Sequence, residues 1–323
     1  MDSVYERPFQ SHGRNEIVTA VLEVENLSKA YGSKQALRNV SFSVEAGTCF
    51  GLLGPNGAGK STTMKIITGI IDRDDGTVTV LGHDSKRERE EIRKKVGYVP
   101  QEITLYEKLS AFDNLVFFGE LYGVRGPVLK KRIDEVLELV GLADRAKDAV
   151  GTFSGGLKRR INIAAALLHK PKLIILDEPT VGIDPQSRNH IFNMIRELKE
   201  EGVTVVYSTH YMEEAEALCD HIAIIDHGQV IAQGSLEELL DNYGRKSVYV
   251  EAEGWSELPQ LPHVKQIKEE KRGWMIETDH LLETMNSITR AALEQDIIVH
   301  QLEIKRPSLE TVFLSLTGTS LRD

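Results

Sequence analysis

Hydrophobic positions along this chain alternate between two patterns. Short runs rich in β-branched residues, at Val21–Val24, Val40–Val44, Cys49–Leu53, Thr77–Leu81, Val96–Val99, Lys172–Leu176, Val203–Tyr207 and His221–Ile225, read as strands. Elsewhere apolar residues recur every three or four positions, and the block from Tyr106 to Leu168 reads almost wholly helical. Strands interleaved with helices predict an α/β core over residues 19–244, with an inserted helical subdomain at about 102–168. After "HGQVIAQGS" and a helix over Leu236–Tyr243, the pattern restarts at "SVYVEAEGW" with three or four strands and two helices, a small αβ domain over 245–323. Its last helix is well marked. Ser308 can cap it, Glu310 sits in the first turn, and Leu309, Val312, Phe313 and Leu316 form one stripe before Gly318. Residues 1–18 are polar and aperiodic, and a flexible tail is expected there.

Composition narrows the possibilities. With 323 residues, 41% hydrophobic and 27% charged, the chain has the make-up of a soluble globular protein with room for two domains. A formal net charge of −10 opposes a general nucleic-acid surface, which depends on Lys and Arg neutralising phosphates. The basic runs Lys130–Arg132 and Lys158–Arg160 read as solvated helix faces. Cys49 and Cys219 lack metal-ligand spacing, so two buried free thiols are expected. No run reaches the roughly 18 to 20 apolar residues of a membrane span. The start "MDSVYERPFQSHGRNE" also lacks a basic flank followed by an apolar stretch, so no signal peptide is expected.

The first chemical motif is "GLLGPNGAGKSTTMKI". Gly54, Pro55, Asn56, Gly57, Ala58, Gly59, Lys60 and Ser61 fit GxxxxGK[ST], after an apolar strand and before Met64, Ile67 and Ile71 at helical spacing. Glycines let successive backbone N–H groups turn inward at the positive end of a helix, which makes an anion nest. Lys60 would reach the β and γ phosphates, the Ser61 hydroxyl would ligate magnesium, and Thr62 opens the helix beside them. A second anchor comes from "KLIILDEPT", an apolar strand ending in Asp177 and Glu178. Asp177 can hold magnesium directly or through water, and Glu178 can orient a water as general base.

A second small-residue helix start lies at "TFSGGLKRR". Ser154 can cap a helix whose inward stripe is Leu157, Ile161, Ala164, Ala165 and Leu168, while Gly155 and Gly156 weaken the helix behind it. With "FSGGL" some twenty residues before "LIILDEP", the chain resembles the nucleotide-binding domain of ABC transporters over roughly residues 21–240. The resemblance implies a P-loop NTPase core with an antiparallel β subdomain. It also implies that Ser154, Gly155 and Gly156 contact the γ-phosphate held by an opposite subunit, so that two chains sandwich two ATP molecules. Tyr31 resembles the aromatic that stacks on adenine, Gln101 the glutamine that senses magnesium and the attacking water, and His210 the switch histidine touching Glu178. Asp184 before Pro185 suits a helix cap, and the family also uses this aspartate across the dimer interface; both readings stand. Phe153 and Leu157 depart from the usual LSGGQ.

"GGLKRR" and the C-terminal "PSLETVFLSLTG" resemble the drug-, lipid- and polysaccharide-exporting branch. The expectation is an ATPase subunit using ATP and Mg2+ on the cytoplasmic face of the cell membrane. Its expected partners are an integral membrane permease and a second ATPase subunit, with docking through part of residues 101–127 and no nucleic acid. A soluble ABC ATPase acting on DNA or ribosomes, and a low-turnover regulatory or importer subunit, are the alternatives.

Overall fold

The computed structural model describes residues 20–317, so the expected tail over residues 1–18 and the stop at Gly318 lie outside the described residues. Among the described residues the strands form three sheets. The first is antiparallel, in the order β2-β1-β4-β5, from β1 (Ala20–Tyr31), β2 (Lys34–Glu45), β4 (Asp75–Val80) and β5 (His83–Asp84). The second comprises β3 (Cys49–Leu53), β6 (Val96–Val99), β7 (Leu173–Asp177), β8 (Thr204–Thr209), β9 (His221–Asp226) and β10 (Gln229–Ser235). Its order is β10-β9-β3-β8-β7-β6, parallel except where β10 returns beside β9. The third, β12-β13-β11-β14, is antiparallel and contains β11 (Ser247–Glu253), β12 (Val264–Glu270), β13 (Gly273–Thr278) and β14 (Ile298–Lys305).

Helices α1 (Lys60–Ile67) and α2 (Arg89–Arg93) lie beside the first two sheets. The helical block consists of α3 (Ala111–Leu121), α4 (Gly126–Leu139) and α5 (Gly155–Leu167). Helices α6 (Pro185–Glu200), α7 (Met212–Leu218) and α8 (Leu236–Tyr243) complete the first part, and α9 (Leu281–Glu294) and α10 (Leu309–Thr317) belong to the second. The expected helical block is interrupted between α4 and α5, where the chain makes only single short turns of helix at 143–145 and 150–152 before α5 begins.

The central strand β3 shows why the sequence reads as an unbroken apolar run. All five of its residues are buried, and successive side chains point to opposite faces. Phe50 and Leu52 enter a core shared with the antiparallel sheet and α1, where Phe42 stacks on Phe50 at 5.0 Å. Cys49 and Leu53 enter the other core, shared with the helical block. The two thiols are free and buried as expected, with Cys49 Sγ 4.0 Å from Cys219 Sγ.

Two sequence expectations are corrected. Lys158–Arg160 is not a solvated face: Arg159 and Arg160 are 3% and 8% exposed. Their guanidinium groups donate from Nη1 to carbonyl acceptors on neighbouring loops, which offsets part of the cost of burying them. Strand β10, absent from the expected set, follows a hairpin in which His227 and Gly228 have φ of +47° and +77°, the left-handed pair that a two-residue hairpin requires.

Helix α10 begins as expected, with the Ser308 hydroxyl accepting from Thr311 N at 3.4 Å. Its stripe of Leu309, Val312 and Phe313 packs with Leu218 and Leu239 in the helical-block core, rather than on the third sheet. Replacing Phe313 by Ala removes a side chain 2% exposed and is expected to cost about 3 kcal/mol. A urea titration of the full chain checks this, and a change within about 0.5 kcal/mol, the range of surface substitutions, would show that the helix is not seated there.

Candidate functional site

The parallel sheet delivers the carboxyl ends of β3, β7 and β8 to one edge, and the loops leaving them build the site. After β3, the loop from Gly54 to Gly59 turns into α1. A Cβ on Gly54 would lie 2.1 Å from the Ile225 carbonyl oxygen, and Gly59 has φ +112° with Leu37 Cδ2 2.5 Å from where a Cβ would stand. No other residue fits at either place. Helix α1 starts without a side-chain cap and without an acidic residue in its first turn, so its N–H groups keep their positive character for a ligand.

Lys60 is 4% exposed. Its Nζ donates to the carbonyls of Gly54 at 2.7 Å and Pro55 at 3.1 Å, and lies 2.9 Å from Glu178 Oε1. Asp177, the last residue of β7, is 1% exposed and accepts at Oδ1 from Ser61 Oγ at 3.1 Å and Ser208 Oγ at 2.7 Å. Glu178 follows with φ +45°, a costly conformation for a non-glycine residue. It is held there by its N–H, which donates to Ser208 Oγ at 3.0 Å. Gln101 Nε2 donates to Glu178 Oε2 at 3.1 Å, and His210 Nδ1 stands 3.4 Å from Oε1. Burial first, and then the neighbouring Asp177, push the Tyr98 phenol up, so it stays protonated.

Lys60, Ser61, Gln101 and Glu178 face an open cavity of about 270 Å³ that is also lined by Tyr31, Asn56, Gly57, Gly59 and Thr62, with Asp177 buried behind Ser61. Tyr31 is half exposed at its edge, with Lys29 Nζ 5.6 Å from the ring centroid. Pro55 and Ala58 are buried beneath the loop. The hydroxyl of Ser61 and the carboxylate of Asp177 are hard oxygen donors, and fit a divalent cation that completes its shell with water and phosphate. Among the described residues no three His, Cys, Asp or Glu side chains converge as an all-protein metal cage.

Ser154, Gly155, Gly156 and Asp184 do not line this cavity. Ser154 caps α5 with its hydroxyl accepting from Leu157 N at 3.4 Å, and it is exposed, as is Gly155. Gly156 is needed within the chain itself, since a Cβ there would lie 2.2 Å from Ser187 Oγ. Asp184 caps α6, accepting from Ser187 N at 2.9 Å, and that bond first of all lowers its pKa. Sequence reasoning missed Ser208, whose hydroxyl joins both acidic residues; the signal available was its place two residues before His210 at the end of a strand.

Comparison with known proteins agrees with this architecture. The family model described as ABC transporter matches residues 37–181, and one described as ATP-binding protein DrrA1-3-like, C-terminal domain, matches residues 234–317. The linearmycin resistance ATP-binding protein LnrL of Bacillus subtilis (strain 168) is 47% identical over 311 residues, covering 94% of this chain and all of that protein. The Nod factor export ATP-binding protein I of Sinorhizobium fredii is 37% identical, covering 94% of this chain and 87% of its own length. A solved ATP-binding subunit of an ABC transporter superposes with a TM-score of 0.63 at 33% identity, over 69% of this chain and 93% of that one. A dimeric ATP-binding cassette holding ADP and phosphate gives 0.61 at 28% identity, over 67% of this chain and 98% of that one.

Removing the Ser208 hydroxyl releases one bond from Asp177 and one from the Glu178 backbone. Ser208→Ala is expected to lower the maximal rate of ATP hydrolysis about tenfold, the worth of one bond to a charged group. A fluorescent ATP analogue should bind nearly as before, and phosphate release together with analogue titration checks both.

Proposed function

The chain belongs to the ABC transporter family of ATP-binding proteins, and on that premise we propose how its geometry drives export. It is an ATP-hydrolysing subunit of an exporter. The observation that carries the mechanism is the exposed Ser154–Gly155 helix start, which sits outside its own chain's cavity while Lys60, Ser61 and Glu178 line it. An exposed helix N-terminus with a small flank suits a phosphate brought by another polypeptide. Two subunits, either two copies or this chain with a relative, therefore close head to tail around two ATP molecules, each site completed by the other's Ser154, Gly155, Gly156 and Asp184.

Within one site the ATP phosphates take the loop from Gly54 to Gly59 and the N–H groups of α1. Tyr31 at the cavity edge supports the adenine. Lys60 now spans Glu178 and two carbonyls, and phosphate oxygens compete for its ammonium. As Lys60 turns to phosphate, Glu178 Oε1 is released to take a proton from the attacking water, with Gln101 holding Oε2 and His210 beside it. Ser61, Asp177 and Gln101 would hold Mg2+, which when bound offsets the phosphate charge. Hydrolysis removes the γ-phosphate that both subunits share, and the pair separates.

No helix among the described residues is long and apolar enough to cross a membrane, so the translocation path belongs to an integral membrane permease. Docking is expected through part of residues 101–127, and that range supplies Leu121 and Tyr122 to a cavity of about 400 Å³ also lined by Thr68, Ile70, Ile92, Arg93 and Tyr98. Ile70 and Leu121 expose apolar surface there, 48% and 71% respectively, and suit a short permease helix at the cytoplasmic face of the cell membrane. The 245–323 domain is an accessory unit of this exporter subunit.

Glu178→Gln keeps the shape and the Gln101 contact but cannot accept a proton. It is expected to bind ATP, to elute as an ATP-dependent dimer, and to hydrolyse at least about a hundredfold more slowly. Light scattering on eluted protein with and without ATP, alongside phosphate release, is the measurement. A strictly monomeric variant would refute the shared site, and wild-type turnover would refute Glu178 as the base.

A further inference from the structure

His210 stands beside Glu178, yet no hydrogen bond at Nδ1 holds its ring there. That atom is buried, has no hydrogen-bond partner among the described residues, and lies 3.4 Å from Glu178 Oε1, longer than a formed bond. A histidine aimed at a reacting group is ordinarily oriented by a hydrogen bond at one of its nitrogens. Here the ring leans on an aromatic instead: its centroid is 4.1 Å from that of Tyr211, with the planes tilted by 41°. Consecutive side chains on an extended strand point apart, and these two meet because the chain turns between β8 and α7. The Thr209 hydroxyl closes that turn, accepting from Tyr211 N at 2.9 Å and donating to Glu214 Oε2 at 2.8 Å.

Tyr211 is a poor choice for its place in the helix. It occupies the cap position of α7, where Ser, Thr, Asp or Asn would satisfy a backbone N–H, and its side chain caps nothing. A large aromatic, 38% exposed, therefore breaks a local rule that costs stability, and its contacts show what it does instead. Besides His210 it meets Arg188 of α6, whose Cζ is 5.6 Å from the Tyr211 ring centroid and whose Nε is 3.6 Å from Glu214 Oε1. Arg188 Nε is buried without a hydrogen-bond partner, so the flat guanidinium is seated there by the carboxylate's charge and by the ring.

We infer that Tyr211 is a positioning residue for ATP hydrolysis: its ring, steadied by Arg188, sets the direction of the His210 imidazole toward Glu178. The inference rests on the reading above in which His210 acts beside Glu178. A ring contact orients the imidazole without engaging either nitrogen, so both stay available to the carboxylate and the nucleotide. The Thr209–Glu214 bond fixes the backbone of the turn, and Tyr211 fixes the side chain that the turn carries.

The test compares Tyr211→Leu and Tyr211→Phe with wild type in the full chain, by ATP hydrolysis against ATP concentration, fluorescent-analogue titration, thermal unfolding, and carbon–proton NMR of the histidine rings. The His210 signals, among those of ten histidines, are identified by their loss in His210→Gln. Tyr211→Leu is expected to lower kcat about fivefold, the worth of one aromatic contact, with KM and analogue affinity within about twofold of wild type. Its His210 ring signals should lose the ring-current displacement that Tyr211 imposes. Tyr211→Phe keeps the flat ring and should match wild type in both readouts. Arg188→Lys keeps a charge beside Glu214 but not the planar group, and should lower kcat by less, which supplies a second variant should Tyr211→Leu fold poorly. A folded Tyr211→Leu with wild-type kcat, His210 signals that stay in place, a Tyr211→Phe as slow as Tyr211→Leu, or a rate loss that only follows the folded fraction overturns the positioning role. His210→Gln separates that failure from failure of the reading beneath it. Wild-type turnover in His210→Gln means that the histidine takes no part in hydrolysis, whereas a slow His210→Gln beside a fast Tyr211→Leu means that it acts without help from Tyr211.

Discussion

A lysine and a glutamate 2.9 Å apart, their side chains 4% and 5% exposed, set the terms for everything around them. Neither charge could be left alone at that depth, since removing one partner of a buried pair costs about 3 to 5 kcal/mol. The sheet has to bring the loop after β3 and the end of β7 to one edge, and it does so across β8, whose Ser208 holds both Asp177 and the Glu178 backbone. The left-handed backbone at Glu178 follows from the same demand. It turns the carboxylate back over the phosphate loop instead of letting it continue the strand's alternation. A phosphate ligand can displace Glu178 from Lys60 because it offers the ammonium an equal or greater negative charge. The carboxylate then needs a new hydrogen-bond donor, and Gln101 and His210 are the groups placed beside it.

How much of this was legible in the sequence depends on whether the controlling contact is local. The phosphate loop is a run of eight consecutive residues, so residue types and spacing alone disclose it, even though the atoms that crowd Gly54 and Gly59 belong to Ile225 and Leu37. Strands β3 and β6 begin and end where expected, because residues buried on both faces admit no polar interruption. Strand β1 runs seven residues past its expected end at Val24. Its outer half is polar and half exposed, and is kept extended by pairing with β2 rather than by burial. Arg159 and Arg160 misled for a related reason. Charge composition describes what a side chain carries, whereas burial was decided by carbonyls on loops some twenty and sixty residues away.

The acidic residue Glu214 shows the same dependence on distant partners. It is 2% exposed and accepts from the hydroxyls of Thr180, Tyr207 and Thr209, joining the turn after Glu178 to the end of β8 and the first turn of α7. Its three donors come from two segments that the sheet makes neighbours, so no local pattern announces them. The result is that the loop bearing His210 and the loop leading to Asp184 share one anchor.

The C-terminal helix extends this framework outward. Leu309 N donates to Glu216 Oε1 at 2.7 Å and Ser315 Oγ donates to the Tyr243 carbonyl at 3.0 Å, so α10 is fastened to both α7 and α8 by polar bonds as well as by Phe313. Helix α7 starts two residues after His210. A helix pinned at its far end by α10 cannot follow a displaced histidine by tilting freely; it must either carry α10 with it or resist. The third sheet is thus joined, through the short segment after β14 and through α10, to the helix that follows His210, although no described residue of that sheet lines the cavity. Packing of one helix, rather than any contact from the sheet, is what joins the C-terminal domain to the part of the chain that carries the site.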